Sequence, residues 1–112
     1  MDVGTAGVAV APLRTVMQVP TEITFHGIDH TDPVEASILQ WVARLEQVHE
    51  GIKRCEVVIG QPRGSHRRGR HYEVNLVLEV LGGEIATTDV GHQDIYVAIA
   101  HAFRIVRRQL SS

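Results

Sequence analysis

Of the 112 residues only Cys55 is cysteine, only Lys53 is lysine, and five are aromatic: Phe25, Trp41, Tyr72, Tyr96 and Phe103. A lone cysteine excludes an intrachain disulfide, and a reducing, cytoplasmic setting is expected. Cys55 lies inside an apolar run and is read as a small core residue rather than a nucleophile. No apolar stretch approaches the roughly 18–20 residues of a membrane helix, so no membrane partner is expected. Val3 to Leu13, the nearest approach to a secretion signal, has Asp2 before it and Arg14 after it, the wrong order of flanking charge. A net charge of −2 gives the whole chain no attraction for a polyanion. The few aromatics offer little for stacking on bases.

What is present is an ordinary globular composition, 44% apolar and 21% charged, in a length that suits one core. Residues 1–16 are small and without periodicity, and are expected to form a disordered leader. Met17 is a candidate second start, and 17–112 reads as a single domain. Gln18 to Ile28 carries a moderate strand signal. Asp32-Pro33-Val34-Glu35 reads as a helix entry, with Asp32 as N-cap and Glu35 closing a capping box. Val34, Ile38, Val42 and Leu45 recur at helical spacing with Trp41 alongside, and Gly51 is the expected stop. Arg54 to Gly60 reads as a buried strand, and Gln61 to Arg70 as a loop. Tyr72 to Val80 alternates with period two, Gly82-Gly83 is the expected hairpin turn, and Glu84 to Val90 returns before a break at Gly91. Asp94 opens a last helix with the stripe Ile95, Ala98, Ile99, Ala102, Val106 and Leu110. The order β-α-β-β-β-α predicts an α+β two-layer sandwich: a four-stranded mixed sheet, its first two strands parallel, with two helices on one face.

The candidate chemistry is sparse. His26 and His30 straddle Gly27, without cysteine pairs or HExxH spacing, so no metal is expected. His66 and His71 lie among arginines that repel a divalent cation. Ser37, Ser65 and Cys55 have no nucleophile elbow around them. Glu73 and Glu79 share a strand face but are about 20 Å apart, too far for a carboxylate pair. The glycines form no phosphate loop. No catalytic residue, cofactor or small-molecule substrate is therefore expected, and nothing sets the oligomeric state. The basic residues are different. From Lys53 to His71 and from His101 to Ser112, nine basic residues face one acid, a net of +8; the remainder carries two against twelve, a net of −10. On the last helix His101, Arg104 and Arg108 form one stripe with Arg107 beside it. In the loop, Arg63, Arg67, Arg68 and Arg70 stand among glycines that let a backbone approach. Arginine forks suit phosphate, and contact with RNA backbone or shape is the expected use.

Gly82 to Leu110 (GGEIATTDVGHQDIYVAIAHAFRIVRRQL) resembles the closing hairpin and last helix of the ribosome hibernation-promoting factor/ribosome-associated inhibitor (sigma-54 modulation protein) family, above all in Asp94-x-Tyr96-x-Ala98-Ile99. Ala43 to Ile59 and the opening from Met17 resemble the same family, so the likeness spans about Met17 to Leu110. It implies a fold akin to double-stranded-RNA-binding domains and a protein that is not an enzyme. It further implies binding to the small ribosomal subunit and its rRNA, and arrest of translation under stress. Basic helix residues face rRNA in the family, which carries over to Arg44 and to Arg104, Arg107 and Arg108. The family usually has lysine where this chain has Trp41. Its Lys-rich extension and C-terminal dimerisation domain have no counterpart after Leu110, so a short form is expected. The candidate RNA-binding set is Arg44, Lys53, Arg54, Arg63, Arg67, Arg68, Arg70, His101, Arg104, Arg107 and Arg108. The competing expectation is a diverged, non-ribosomal regulator that uses this fold to bind an acidic protein or another RNA.

Overall fold

The two-residue alternation that marks the strands also decides which way the sheet faces. In the computed structural model, which describes residues 19–61 and 71–111, the elements are β1 (Thr21–His26), α1 (Asp32–Val48), β2 (Ile52–Gly60), β3 (Tyr72–Val80), β4 (Gly83–His92) and α2 (Ile95–Leu110). The expected leader, Met17, and Arg63, His66, Arg67, Arg68 and Arg70 lie outside the described residues. The sheet runs β1-β2-β3-β4, parallel between β1 and β2 and antiparallel thereafter. A parallel pair needs a crossover, and α1 supplies it.

Cys55, Val57 and Ile59 on β2 and Val74, Leu76 and Leu78 on β3 have no exposed surface, whereas the residues between them are half-buried or exposed. All six inward residues pack with α1 and α2 in one cluster, so both helices cover the same face. α1 contributes Val34, Ile38, Val42 and Leu45; α2 contributes Ala98, Ile99, Ala102, Phe103 and Val106. The expected α+β sandwich is thus the observed fold. Phe103, absent from the expected stripe, is the bulkiest of the fully buried side chains.

Several local expectations are corrected. The N-cap of α1 is Thr31, not Asp32, and it makes no side-chain capping bond. The first turn closes through the Glu35 amide to the Thr31 carbonyl at 3.1 Å. No capping box forms, because the Glu35 carboxylate accepts instead from His30 Nε2 at 2.6 Å. α1 ends at Val48 with His49 extended, two residues before the stop expected at Gly51, since the chain must already be straightening to enter β2. The hairpin turn is Leu81-Gly82, because Val80 pairs with Gly83; Gly82 takes a φ of +92°, where an L side chain would be strained. Nor does Gly91 break the strand. Val74 pairs with Val90 but Leu76 with Thr87, so a bulge places one extra residue on β4, and pairing resumes to Tyr72↔His92. At Gly91 the missing side chain is filled by the His71 imidazole.

Two predictions follow from this core. Phe103→Ala removes a ring with no route to collapse, and should lower stability by about 3–5 kcal/mol in urea titration with the m-value unchanged. Burial, with the Glu56 carboxylate adding to it, pushes the Cys55 thiol up from 9.0 to about 12. Between those values the unfolded chain loses the proton first, so stability is fully present below pH 9.0 and falls as pH rises toward about 12. Cys55→Ala should therefore show a shallower alkaline loss of stability than the parent chain, by the same urea titration.

Candidate nucleic-acid interface

The start of α2 fixes the phase of everything on its outer surface. Asp94 Oδ1 accepts from the amides of Tyr96 at 2.9 Å and Val97 at 3.4 Å, which satisfies two of the free donors at the helix N-terminus. His92 Nδ1 accepts from the Asp94 amide at 2.9 Å, tying the cap to the end of β4. With Ala98, Ala102 and Val106 turned inward, His101, Arg104, Arg107 and Arg108 are all exposed. α2 contains no acidic residue, and Arg107 and Arg108 sit in its last turn, where the helix dipole favours cations.

α1 lies beside α2 and adds Trp41 and Arg44. The Trp41 indole stacks on Phe103 with ring centres 5.8 Å apart and planes 11° from parallel. The guanidinium carbons of Arg44 and Arg104 lie 5.0 and 5.9 Å from the centre of that indole, one arginine from each helix. Such cation–π contacts hold planar guanidinium groups in place without consuming their charge. Beside them, Trp41, Arg44, Leu45, Gln47, Val48 and Arg107 line an open pocket of about 240 Å³. Among the described residues no carboxylate pairs with Arg44, Arg104 or Arg107.

The other expected contacts are placed elsewhere. Arg54 lies on the outer face of the sheet, where its Nη2 donates to Glu22 Oε1 at 2.8 Å. Lys53 is exposed at the start of β2, beside a second hollow that Glu46 and Glu50 also line. His101 stands edge-on to His92 at 5.9 Å. The structure thus brings together Arg44, Arg104 and Arg107, with His101 and Arg108 on the same helix, and separates Arg54 from them. From the sequence, Trp41 is a helix-stripe neighbour and the residue standing where the resembling family usually has lysine. Its place in the pocket was foreshadowed only by its position three residues before Arg44.

The outer face of the sheet has the opposite sign. Glu22, Glu56, Glu73, Glu79 and Glu84 all fall on the strand positions that point away from the core, with Arg54 as the one basic residue among them. The sheet face is therefore acidic and the positive charge of the helix layer sits on α2 and Arg44, while α1 also bears Asp32, Glu35 and Glu46. Charges on opposite sides of the core are screened from one another over a Debye length of about 8 Å at physiological salt. A polyanion on the helix face meets the arginines first.

One His30-centred group of side chains also stands out at the start of α1. Ligand atoms of His30, Asp32 and Glu35 lie within 4.8 Å of one another. Its histidine is already engaged, with Nε2 on Glu35 at 2.6 Å and Nδ1 4.0 Å from Asp32. A cation would have to displace that pairing, so the arrangement is described by hydrogen bonding alone. Among the described residues no helix is long and apolar enough to cross a membrane.

The β-α-β-β-β-α sandwich thus carries arginines of both helices at one seam of its helix layer. The family model described as sigma 54 modulation protein / S30EA ribosomal protein matches residues 21–112, and the chain belongs to that family. The family expected from Gly82 to Leu110 is thereby borne out. Among solved structures, the Protein Y N-terminal domain of Thermus thermophilus is similar at 20% identity and a TM-score of 0.68, covering 84% of this chain and 96% of that one. A ribosomal subunit interface protein from Coxiella burnetii is similar at 14% identity and a TM-score of 0.68, covering 83% and 94%. No curated protein matches the sequence.

The acidic face generates a prediction of its own. Glu79 and Glu84 are directly paired across β3 and β4, and like charges so placed repel. Glu84→Lys should raise stability by roughly 0.2–1 kcal/mol in thermal melts at low salt, a gain that shrinks as salt is added.

Proposed function

We propose that this chain is a cytoplasmic, ribosome-associated factor that binds the small subunit through rRNA phosphates and holds translation off under stress. The observation that carries the reading is the helix face. It presents Arg44, Arg104 and Arg107 without carboxylate partners among the described residues, on a helix with no acid of its own. Membership of a ribosomal-protein family directs that surface to the ribosome, and a structural neighbour is itself a ribosomal subunit interface protein. The activity is occupancy of a site rather than catalysis. Arg107, Arg108 and His101 extend the phosphate contacts along α2. Arg63, Arg67, Arg68 and Arg70 add a second basic segment of the sequence, and Lys53 and Arg54 precede it at the start of β2.

Phosphate contact has a thermodynamic signature, because each neutralised phosphate releases condensed counterions. The logarithm of affinity should fall with the logarithm of salt by roughly 0.7–0.9 per phosphate. Four contacts would give a slope of about −3. In sucrose gradients the protein should travel with small subunits at low salt and leave them as salt rises. Arg104→Glu with Arg107→Glu should remove it from that peak at salt concentrations where the parent chain remains. A folded protein absent from the subunit peak at every salt concentration would overturn the proposal.

A further inference from the structure

The pocket between α1 and α2 does not look like a surface made for phosphate alone. Phosphate needs donors and no apolar wall. Here the wall is the Trp41 indole with Leu45 and Val48, while Arg44, Gln47 and Arg107 supply the polar groups. Val48 remains 59% exposed, an apolar side chain left in the open beside arginines. The indole is also held in place: its partner Phe103 has no exposed surface, and the two rings are nearly parallel. A fixed aromatic ring beside fork-shaped donors is how single-stranded RNA is commonly held, with a splayed base against the ring and its phosphates on arginine. The size agrees. About 240 Å³ is below the roughly 300–1,000 Å³ that encloses a drug-sized molecule, and suits one flat group open to the strand on either side.

We infer that this pocket is a base-binding subsite, in which the exposed Arg44 guanidinium moves from the Trp41 ring to a flanking phosphate beside Arg107, and one unstacked base of a single-stranded RNA segment takes its place on the ring. The inference rests on the reading that the helix face meets RNA, and it assigns that face a second kind of contact. Charge complementarity selects the occupant. An apolar peptide would leave Arg44 and Arg107, which pair with no carboxylate among the described residues, without counter-charges, and an acidic peptide would leave the indole and Val48 uncovered. A nucleotide within a strand satisfies both. The amide of Gln47, on the same rim, is placed to donate to or accept from a base edge.

Trp41 is the only tryptophan in the chain, so emission excited at the red edge, where Tyr72 and Tyr96 do not absorb, reports on the surroundings of this indole. The experiment titrates the full chain with a short oligoadenylate, with an abasic oligomer of equal length and phosphate count, and with adenosine monophosphate. Labelled strands give affinities by anisotropy in parallel. Oligoadenylate should quench Trp41, and the abasic strand should bind more weakly without quenching. Trp41→Leu should lower affinity for oligoadenylate by about 5- to 150-fold, the worth of one stacked base, and leave the abasic strand unaffected. Trp41→Phe keeps a ring on Phe103 and should recover most of the loss, which separates stacking from damage to the fold. Equal affinity for the two strands, with Trp41 unquenched, would overturn the subsite; so would equal affinity for the monophosphate and the oligomer. Co-sedimentation with small subunits and unchanged Trp41 emission would remove the subsite and leave the ribosomal reading intact. Quenching by oligoadenylate without any co-sedimentation would do the reverse.

Discussion

Phe103 has no exposed surface, and its ring lies 5.8 Å from Trp41 and nearly parallel to it, so the contact that closes the core between the helices also shapes the outside of the protein. The indole is half-buried, with one part resting on the core and the rest meeting the guanidinium groups of Arg44 and Arg104. Two like charges from different helices are thereby held near one ring. Their mutual repulsion is offset by the π-electrons of that ring, and both arginines remain exposed to water. Without the stack there is no fixed surface on which the two helices could combine their charges.

The segregation of charge has an equally simple cause. Strand positions alternate between faces, and the inward set of β2 and β3 is wholly apolar. Their glutamates are therefore confined to the outer face of the sheet, far from α2. On α2 the helical period does the same for the arginines, with the Asp94 cap setting the phase. The cost is visible across the hairpin, where Glu79 faces Glu84 with no opposite charge between them in that pair. Folding alone gives no reason to collect like charge on a sheet. A helix α2 without any acid, however, can attract a polyanion even though the protein as a whole is slightly negative.

The sandwich and its topology could be read from period alone, because each long element has one continuous apolar face. The errors came where a tertiary contact overrode a local signal. Glu35 had the spacing of a capping box, but His30 competes for its carboxylate. Gly91 carried the signature of a strand end, yet a bulge absorbs the irregularity and the ladder continues past it. Phe103 was missed because the expected stripe already had its quota of apolar positions. It falls four residues after Ile99 and three before Val106, so the period of α2 itself turns it inward, and Trp41 of α1 covers it. For the site, the arginines of α2 and Arg44 were legible as charges on helices. That Arg44, Arg104 and Arg107 converge, while Arg54 pairs with Glu22 on the opposite face, depends on how the helices cross and how β1 pairs with β2. The contribution of Arg63, Arg67, Arg68 and Arg70 lies outside the described residues.

The scarcity of aromatic residues had argued against stacking as a means of recognition. The structure changes the weight of that argument rather than its count. Of five aromatics, Phe103 is enclosed and serves to position Trp41, so the one tryptophan stands at the seam where cations from both helices meet. Electrostatic attraction is long-ranged, weakened by salt, and indifferent to sequence. Stacking is short-ranged, largely insensitive to salt, and requires a base that is not already paired. A surface with both terms discriminates by the state of the RNA: duplex satisfies only the arginines, whereas a single strand satisfies the arginines and the indole. With the proposed subsite, single-strandedness rather than any base sequence would be the property that this helix face distinguishes.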